Sequence, residues 1–303
     1  METNQTETVT NNNFIHNLKN YKYIPSGVED SNYILDGLKD IDEDKESKRL
    51  DEQNQSRHYR IMEELIPSDY SLFPNEHVLD AGCGSGEISN FLLSENEDVP
   101  FKLHMVDMNP TRIEDAVIKV KNDPRVNFSV NKLEDLRIQN NQFDKIFCRF
   151  VFQHLQNHQE VSNELYRVLK PAGELIITDV DGLLFNLVTD NKRLNELMRM
   201  LRKGLDNFEP YICGKIPSYL YKAGFNHNCV TSSYSIMKMI TPADRVRETI
   251  LFEKRFEQIL PTLESILSAS GANEFVDFFL LELNNPKSFI QYERRVIRAI
   301  KTK

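Results

Sequence analysis

Three glycines alternate with small residues from Gly82 to Gly86, directly after an apolar run that ends in Asp80. This pattern is typical of a buried strand that turns sharply into a helix. Because glycine lacks a Cβ atom, the turn can take left-handed dihedral angles and let a ligand lie against its backbone. The first N–H groups of the following helix can also bind an anionic group. The pattern predicts a ligand-binding turn, with an ordinary strand-to-helix connection as the simpler alternative.

A second acidic residue, in addition to Asp80, indicates which chemical groups that ligand carries. Asp107 closes the next predicted strand, where an acid can accept hydrogen bonds from both hydroxyls of a ribose; the alternative is an acid that stabilises a helix N-terminus. A dinucleotide requires the spacing G-x-G-x-x-G, whereas here Glu87 occupies the place of the third glycine. Carboxylates at Asp80 and Glu87 repel phosphate and attract a cation. The residues therefore favour a ligand with a ribose, a positive charge and no phosphate.

Strand and helix signals alternate over the middle of the chain. Apolar runs predict strands over residues 78–80, 102–107, 126–130, 143–150 and 174–179. Helix signals lie between them, such as the cap pair Asn109 and Pro110 followed by apolar residues at helical spacing. This alternation indicates a mostly parallel α/β sheet with helices on both faces, and ligands bind such sheets beyond the carboxyl ends of the strands.

The regular alternation of strand and helix signals ends after Asp181. The pattern there predicts two helices, a strand, a long helical stretch over residues 241–285 and a last strand over residues 288–301. We expect the basic residues of the last strand to lie on a solvated strand edge: Arg294, Arg295, Arg298, Lys301 and Lys303.

The chain divides into four predicted parts. They are a disordered tail (1–20), an N-terminal helical lid segment (21–72), an α/β domain that carries the ligand site (73–240 and 286–303), and a helical cap insertion (241–285).

The bulk composition excludes several classes of function. The formal net charge of −9 disfavours a nucleic-acid partner, because phosphate contacts need a basic face. No apolar run approaches the length of a membrane span, and the polar N-terminus has no apolar core of a signal peptide. The four cysteines are widely spaced, so we expect no metal site and no disulfide framework. We expect a cytoplasmic protein.

Several motifs together resemble those of the class I S-adenosylmethionine-dependent methyltransferases, in the branch that acts on small molecules. The matching segments cover roughly residues 75 to 180: Val78–Gly86, Val106–Pro110, Leu133–Leu136, Phe143–Asp144, Val151–Leu155 and Arg167–Gly173. The resemblance implies a Rossmann-like, seven-stranded, mostly parallel sheet, with S-adenosylmethionine as the cofactor.

The resemblance also implies roles for individual residues. Gly82 and Gly84, in one turn with Asp80 and Cys83, would approach the methionine part of the cofactor. Beyond that turn, Asp107 would bind the ribose and Met108 would pack on the adenine face. Leu133 and Glu134 would border the adenine edge, and Arg149 would lie near the methionine amino group. Segment 47–53 is similar to a helix that precedes the core in small-molecule methyltransferases, which adds Gln53. In one departure, Lys132 stands where many relatives have an acid that binds the adenine amine.

The implied function is transfer of a methyl group to a small-molecule acceptor, such as a specialised metabolite, at an oxygen, nitrogen or carbon atom. The base and amide N-methyltransferase motif Asn/Asp-Pro-Pro-aromatic is absent after the fourth strand. His154 is the best-placed general base, with a structural histidine as an equal alternative. A homodimer is a further option.

Three other functions stay open: a quinone- or lipid-precursor C-methyltransferase, a cofactor-binding cyclase-like enzyme that transfers no methyl group, and a regulatory module.

Overall fold

The structure is a computed structural model that describes residues 70–302, except residues 122, 183, 207 and 239–241. Its strands are β1 (His77–Ala81), β2 (Lys102–Asp107), β3 (Val126–Val130), β4 (Phe143–Arg149), β5 (Leu169–Asp181), β6 (Leu187–Val188), β7 (Val230–Lys238) and β8 (Phe289–Ile300). Its α-helices are α1 (Glu87–Glu95), α2 (Pro110–Lys119), α3 (His158–Val168), α4 (Lys192–Gly204), α5 (Ile216–Ala223), α6 (Pro242–Leu267) and α7 (Ala269–Asn284).

Seven strands form the sheet in the order β3-β2-β1-β4-β5-β8-β7, and the two-residue β6 pairs with the start of β8. Strands β1 to β5 pair in parallel, whereas β8 is antiparallel to both β5 and β7. Helices α1, α2 and α3 connect β1 to β2, β2 to β3 and β4 to β5, whereas a loop leads from β3 to β4. The predicted fold class is confirmed: a seven-stranded, mostly parallel, Rossmann-like sheet.

Local sequence signals set where the helices begin and end. The Asn109 side chain accepts a hydrogen bond from the Thr111 N–H at 2.9 Å, and Pro110 occupies the first turn of α2. Helix α5 ends at Gly224, whose φ of 117° would strain any residue that has a Cβ atom.

Three apolar clusters hold the molecule together. Two of them pack helices against the sheet, one around Leu79 and Ile177 and the other around Val78 and Ile176. The third, called here the cap cluster, joins α4, α6 and α7 to the region beyond β5. Its buried members include Val180, Leu184, Leu194, Leu197, Leu201, Phe252, Phe256, Phe275 and Phe279.

The expectation of a solvated edge for the last strand is wrong. Strand β8 lies between β5 and β7, and Arg294 and Lys301 are each 6% exposed. The Lys301 ammonium donates hydrogen bonds to the carbonyl oxygens of Tyr166 (2.8 Å) and Leu169 (2.7 Å), which offsets its burial.

The predicted division into four parts stays a prediction. Residues 1–20 and most of segment 21–72 lie outside the described residues. Within the part of the chain that the structure describes, no helix is both long and apolar enough to span a bilayer.

Candidate functional site

The glycine turn lies at the carboxyl end of β1 and is folded back onto β2. Gly82, Gly84 and Gly86 have φ angles of 75°, 52° and 83°, which residues with a Cβ atom rarely adopt. The N–H groups of Gly82 and Cys83 both donate to the Val106 carbonyl, at 2.8 and 2.9 Å. The sequence pattern therefore folds as the predicted strand-turn-helix.

The three glycines differ in what surrounds them. A Cβ atom on Gly82 would lie 2.6 Å from a Val151 methyl group, and one on Gly86 would lie 2.9 Å from the Ala116 backbone. A Cβ atom on Gly84 would meet no atom within 4 Å. Gly82 and Gly86 are thus needed for packing, whereas Gly84 leaves room for a ligand to lie against its backbone.

Asp107, at the end of β2, is hydrogen-bonded to this turn. One carboxylate oxygen accepts from the Gly84 N–H at 2.9 Å, and the other accepts from the Asn109 N–H at 3.0 Å. Burial raises the pKa of Asp107, and these two bonds oppose the rise. Each carboxylate oxygen has a second lone pair, so the group can still accept the two hydroxyl groups of a ribose.

Asp80 is buried beneath the turn, with 2% of its surface exposed. Its carboxylate accepts a hydrogen bond from the Ser89 hydroxyl at 2.7 Å. Burial raises the pKa of Asp80 to about 6; the Ser89 hydrogen bond and the charge of Arg149 oppose that rise, and the charge of Asp107 adds to it. With a pKa of about 6, Asp80 is mostly ionised at neutral pH and can attract a cationic group.

Cys83 and the residues expected to contact adenine differ in how far they are buried. Burial raises the pKa of the Cys83 thiol, so that it stays protonated. Met108 is 39% exposed just beyond β2, and Leu133 is buried at 7% exposure after β3. Glu134 is half-buried and accepts a 3.5 Å hydrogen bond from Asn157. These positions border the carboxyl edge of the sheet, while Gln53 lies outside the described residues.

Arg149 and Phe150 lie at the carboxyl end of β4. The Arg149 guanidinium lies 4.6 Å from the centre of the Phe150 ring and is close enough to Asp80 to lower that group's pKa. Arg149 thus lies between the glycine turn and the cap cluster, against which Phe150 packs.

His154 ends a short 3-10 helix, Phe152–His154, and its ring packs against Phe208 at a centroid distance of 5.6 Å. Hydrogen bonds fix this short helix on two sides: the Gln153 N–H donates to the Asp179 carboxylate at 3.3 Å, and the Gln153 carbonyl accepts from the backbone N–H of Glu209 at 3.0 Å. The geometry therefore fixes the backbone that carries His154.

Sequence reasoning missed two buried carboxylates at the end of β5. Burial raises the pKa of Asp179 to about 7 and also raises the pKa of Asp181, which accepts a 3.0 Å hydrogen bond from the Cys213 N–H. Both acids lie at the end of an apolar run, which is the same sequence signal that identified Asp80 and Asp107. The same search for an acid at a strand end, made over residues 178–181, would have found them.

A family model described as a methyltransferase domain matches residues 72–239, which is more than half of the chain. The chain therefore belongs to this family. The resemblance to class I S-adenosylmethionine-dependent methyltransferases is confirmed.

Two curated relatives indicate the range of chemistry in the family. The ubiquinone biosynthesis O-methyltransferase of Rickettsia bellii is 29% identical over 119 residues, which cover 39% of this chain and 48% of that protein. The demethylmenaquinone methyltransferase of Leptospira interrogans is 34% identical over 108 residues, which cover 34% of this chain and 43% of that protein. The chain thus spans about half the length of the curated relatives it matches.

Two solved structures share the fold at low identity. The YcgJ protein of Bacillus subtilis has a TM-score of 0.52 and 17% identity, covering 79% of this chain and 97% of that one. A Bacillus halodurans protein, provisionally described as a methyltransferase, has a TM-score of 0.51 and 19% identity, covering 82% of this chain and 99% of that one. At these identities the likeness shows the fold alone.

Proposed function

We propose that this protein transfers the methyl group of S-adenosylmethionine to a small-molecule acceptor. The observation that carries the proposal is the contact between Asp107 and the Gly84 N–H, at 2.9 Å. It joins a carboxylate suited to a ribose to a backbone position with room for a ligand, within a methyltransferase-family domain.

The residues proposed to contact the cofactor lie at successive strand ends. After β1, the backbone of Gly82, Cys83 and Gly84 would face the methionine part of the cofactor, with Asp80 and Arg149 on the far side of that backbone. Beyond the turn, Asp107 would hold the ribose, Met108 would pack on adenine, and Leu133 and Glu134 would border its edge, with Gln53 contributing from the N-terminal segment.

When bound, S-adenosylmethionine supplies a methyl group that is already activated by its sulfonium charge. The chain must then align the acceptor and exclude water. For a hydroxyl acceptor, His154 would accept the proton as a general base, held in place by the Asp179 contact to its turn. An acceptor that attacks as a neutral amine or as an enolate-like carbon needs no such base, and His154 would then be structural.

The acceptor proposed here is small and partly apolar, because the cap cluster lies beside the strand ends. A quinone-precursor methyltransferase is the second candidate, since two relatives are named as a ubiquinone biosynthesis O-methyltransferase and a demethylmenaquinone methyltransferase. The acidic net charge of −9 supports an acceptor other than nucleic acid. A cytoplasmic location and a homodimer remain predictions.

The test is an incubation of the protein with methyl-labelled S-adenosylmethionine and a metabolite extract of the source cells, with an Asp107→Ala variant as the control. We expect labelled small molecules and release of S-adenosylhomocysteine with the unmodified protein only. Label found solely in RNA or protein would contradict a small-molecule acceptor. A tightly bound cofactor without any release of S-adenosylhomocysteine would favour the cyclase-like or regulatory alternatives.

A further inference from the structure

Phe150 has a backbone conformation that a bulky residue rarely adopts. It follows β4 directly with a φ of 55°, and its N–H donates to the Thr178 carbonyl on β5 at 2.8 Å. The left-handed region costs a residue with a Cβ atom about 1–2 kcal/mol. Such strain persists only where the surroundings impose it, and it concentrates at functional sites.

Leu184 provides a comparison within the same molecule. Among the described residues, Phe150 and Leu184 are the two large apolar residues with a positive φ, and each follows one of two adjacent strands, β4 and β5. Leu184 is 7% exposed and belongs to the cap cluster, so burial of its side chain offsets its strain. Phe150 is only partly buried, so packing offsets its strain less fully.

The surroundings of the Phe150 ring connect the glycine turn to the cap cluster. The Arg149 guanidinium, whose charge lowers the pKa of Asp80, lies 4.6 Å from the ring centre. Elsewhere the ring packs against the apolar cap cluster, together with the partly buried Phe185. Phe150 thus stands at the carboxyl end of a central strand, where a methyl donor and its acceptor must meet.

We propose that Phe150 determines acceptor specificity, and that its ring lies against an apolar, ring-containing acceptor. This inference rests on the proposed function, because it needs the cofactor in the glycine turn. Aromatic rings attract one another in offset or edge-to-face arrangements beyond the effect of buried area. Apolar surroundings on the cap side favour such an acceptor over a small charged amine, which would lose its hydration without a compensating partner.

The test measures binding of 2-naphthol, a flat aromatic alcohol, to the full-length protein saturated with S-adenosylhomocysteine. The variants are Phe150→Leu, which keeps apolar volume without a ring, and Phe150→Ala. The matched control is Leu184→Ala, which perturbs the same cluster at a residue of the same backbone conformation. We expect both Phe150 variants to raise the Kd for 2-naphthol about tenfold and Leu184→Ala to leave it within about twofold.

Affinity for S-adenosylhomocysteine, measured by calorimetry on the same samples, separates this inference from its premise. It should change by less than about twofold in the Phe150 variants, which also shows that they are folded. The inference is overturned if 2-naphthol does not bind the loaded protein, if its Kd is unaltered by the Phe150 variants, or if Leu184→Ala weakens it equally. Failure of the unmodified protein to bind S-adenosylhomocysteine would contradict the proposed function, and this inference with it.

Discussion

Replacement of Gly84 by alanine should weaken cofactor binding while leaving the fold nearly as stable. A methyl group there meets no protein atom within 4 Å, so the structural cost is confined to the left-handed φ of 52°. That conformation costs alanine about 1–2 kcal/mol, which is the expected fall in the free energy of unfolding. The same methyl group would occupy the open space beside the backbone in which we propose that the ligand lies.

The expected loss of affinity follows from the contacts at this position. A ligand displaced from the turn loses part of its hydrogen bonding to Asp107, whose partner in the turn is the Gly84 N–H at 2.9 Å. A hydrogen bond to a charged group contributes about 1.5–3 kcal/mol, so the Kd for S-adenosylhomocysteine should rise by about tenfold to a hundredfold.

Gly86→Ala is the matched control. Its Cβ atom would lie 2.9 Å from Ala116 Cα, so helix α2 must move, and the free energy of unfolding should fall by about 3 kcal/mol from strain and overpacking. Chemical denaturation measures stability, and calorimetry with S-adenosylhomocysteine measures affinity. An alanine at position 84 that leaves the Kd unchanged would refute the placement of the cofactor on this turn.

Three further predictions concern single side chains. Asp107→Ala should weaken S-adenosylhomocysteine binding by at least about a hundredfold in calorimetry, because two charged hydrogen bonds to the ribose are lost; unchanged affinity would mean that the ribose lies elsewhere. Since burial raises the pKa of Asp80 to about 6, affinity for the cationic cofactor should fall as the pH is lowered through 6, and Asp80→Asn should abolish that dependence. Arg245→Met should lower the free energy of unfolding by about 2–4 kcal/mol in denaturant titrations. The reason is that the buried Arg245 guanidinium on α6 donates hydrogen bonds to the carbonyl oxygens of Leu283 (2.7 Å) and Ser288 (2.6 Å). An unchanged unfolding midpoint would show that these two hydrogen bonds do not stabilise the packing of α6 and α7.

The parallel part of the sheet could be predicted from sequence because each strand is an apolar run with a local end signal. Asp80 and Asp107 both follow such runs, and the structure places both at the carboxyl edge of the sheet. Their hydrogen-bond partners could be predicted less well. Ser89 reaches Asp80 from the next helix, and that contact depends on how α1 packs rather than on any local pattern.

Strand β8 shows why the last part of the chain was harder to predict. Its three arginines favour a solvated edge, yet the strand is inserted between β5 and β7. Arg298 finds its partner in Glu174, at 2.7 Å and 124 residues away. Such long-range pairing follows from sheet order, which composition and periodicity do not encode. The positive φ of Phe150 could not be predicted from the sequence either, because no glycine, asparagine or aspartate in residues 149–152 indicates a left-handed backbone conformation.

The central claim is that a ribose-containing, phosphate-free, cationic ligand binds at the carboxyl ends of β1 and β2. Isothermal titration of the full chain with S-adenosylmethionine, S-adenosylhomocysteine and NAD tests it most directly. The account predicts saturable binding of the first two ligands at one site per chain and no heat from NAD. Binding of NAD without binding of either methionine-derived nucleoside would contradict it.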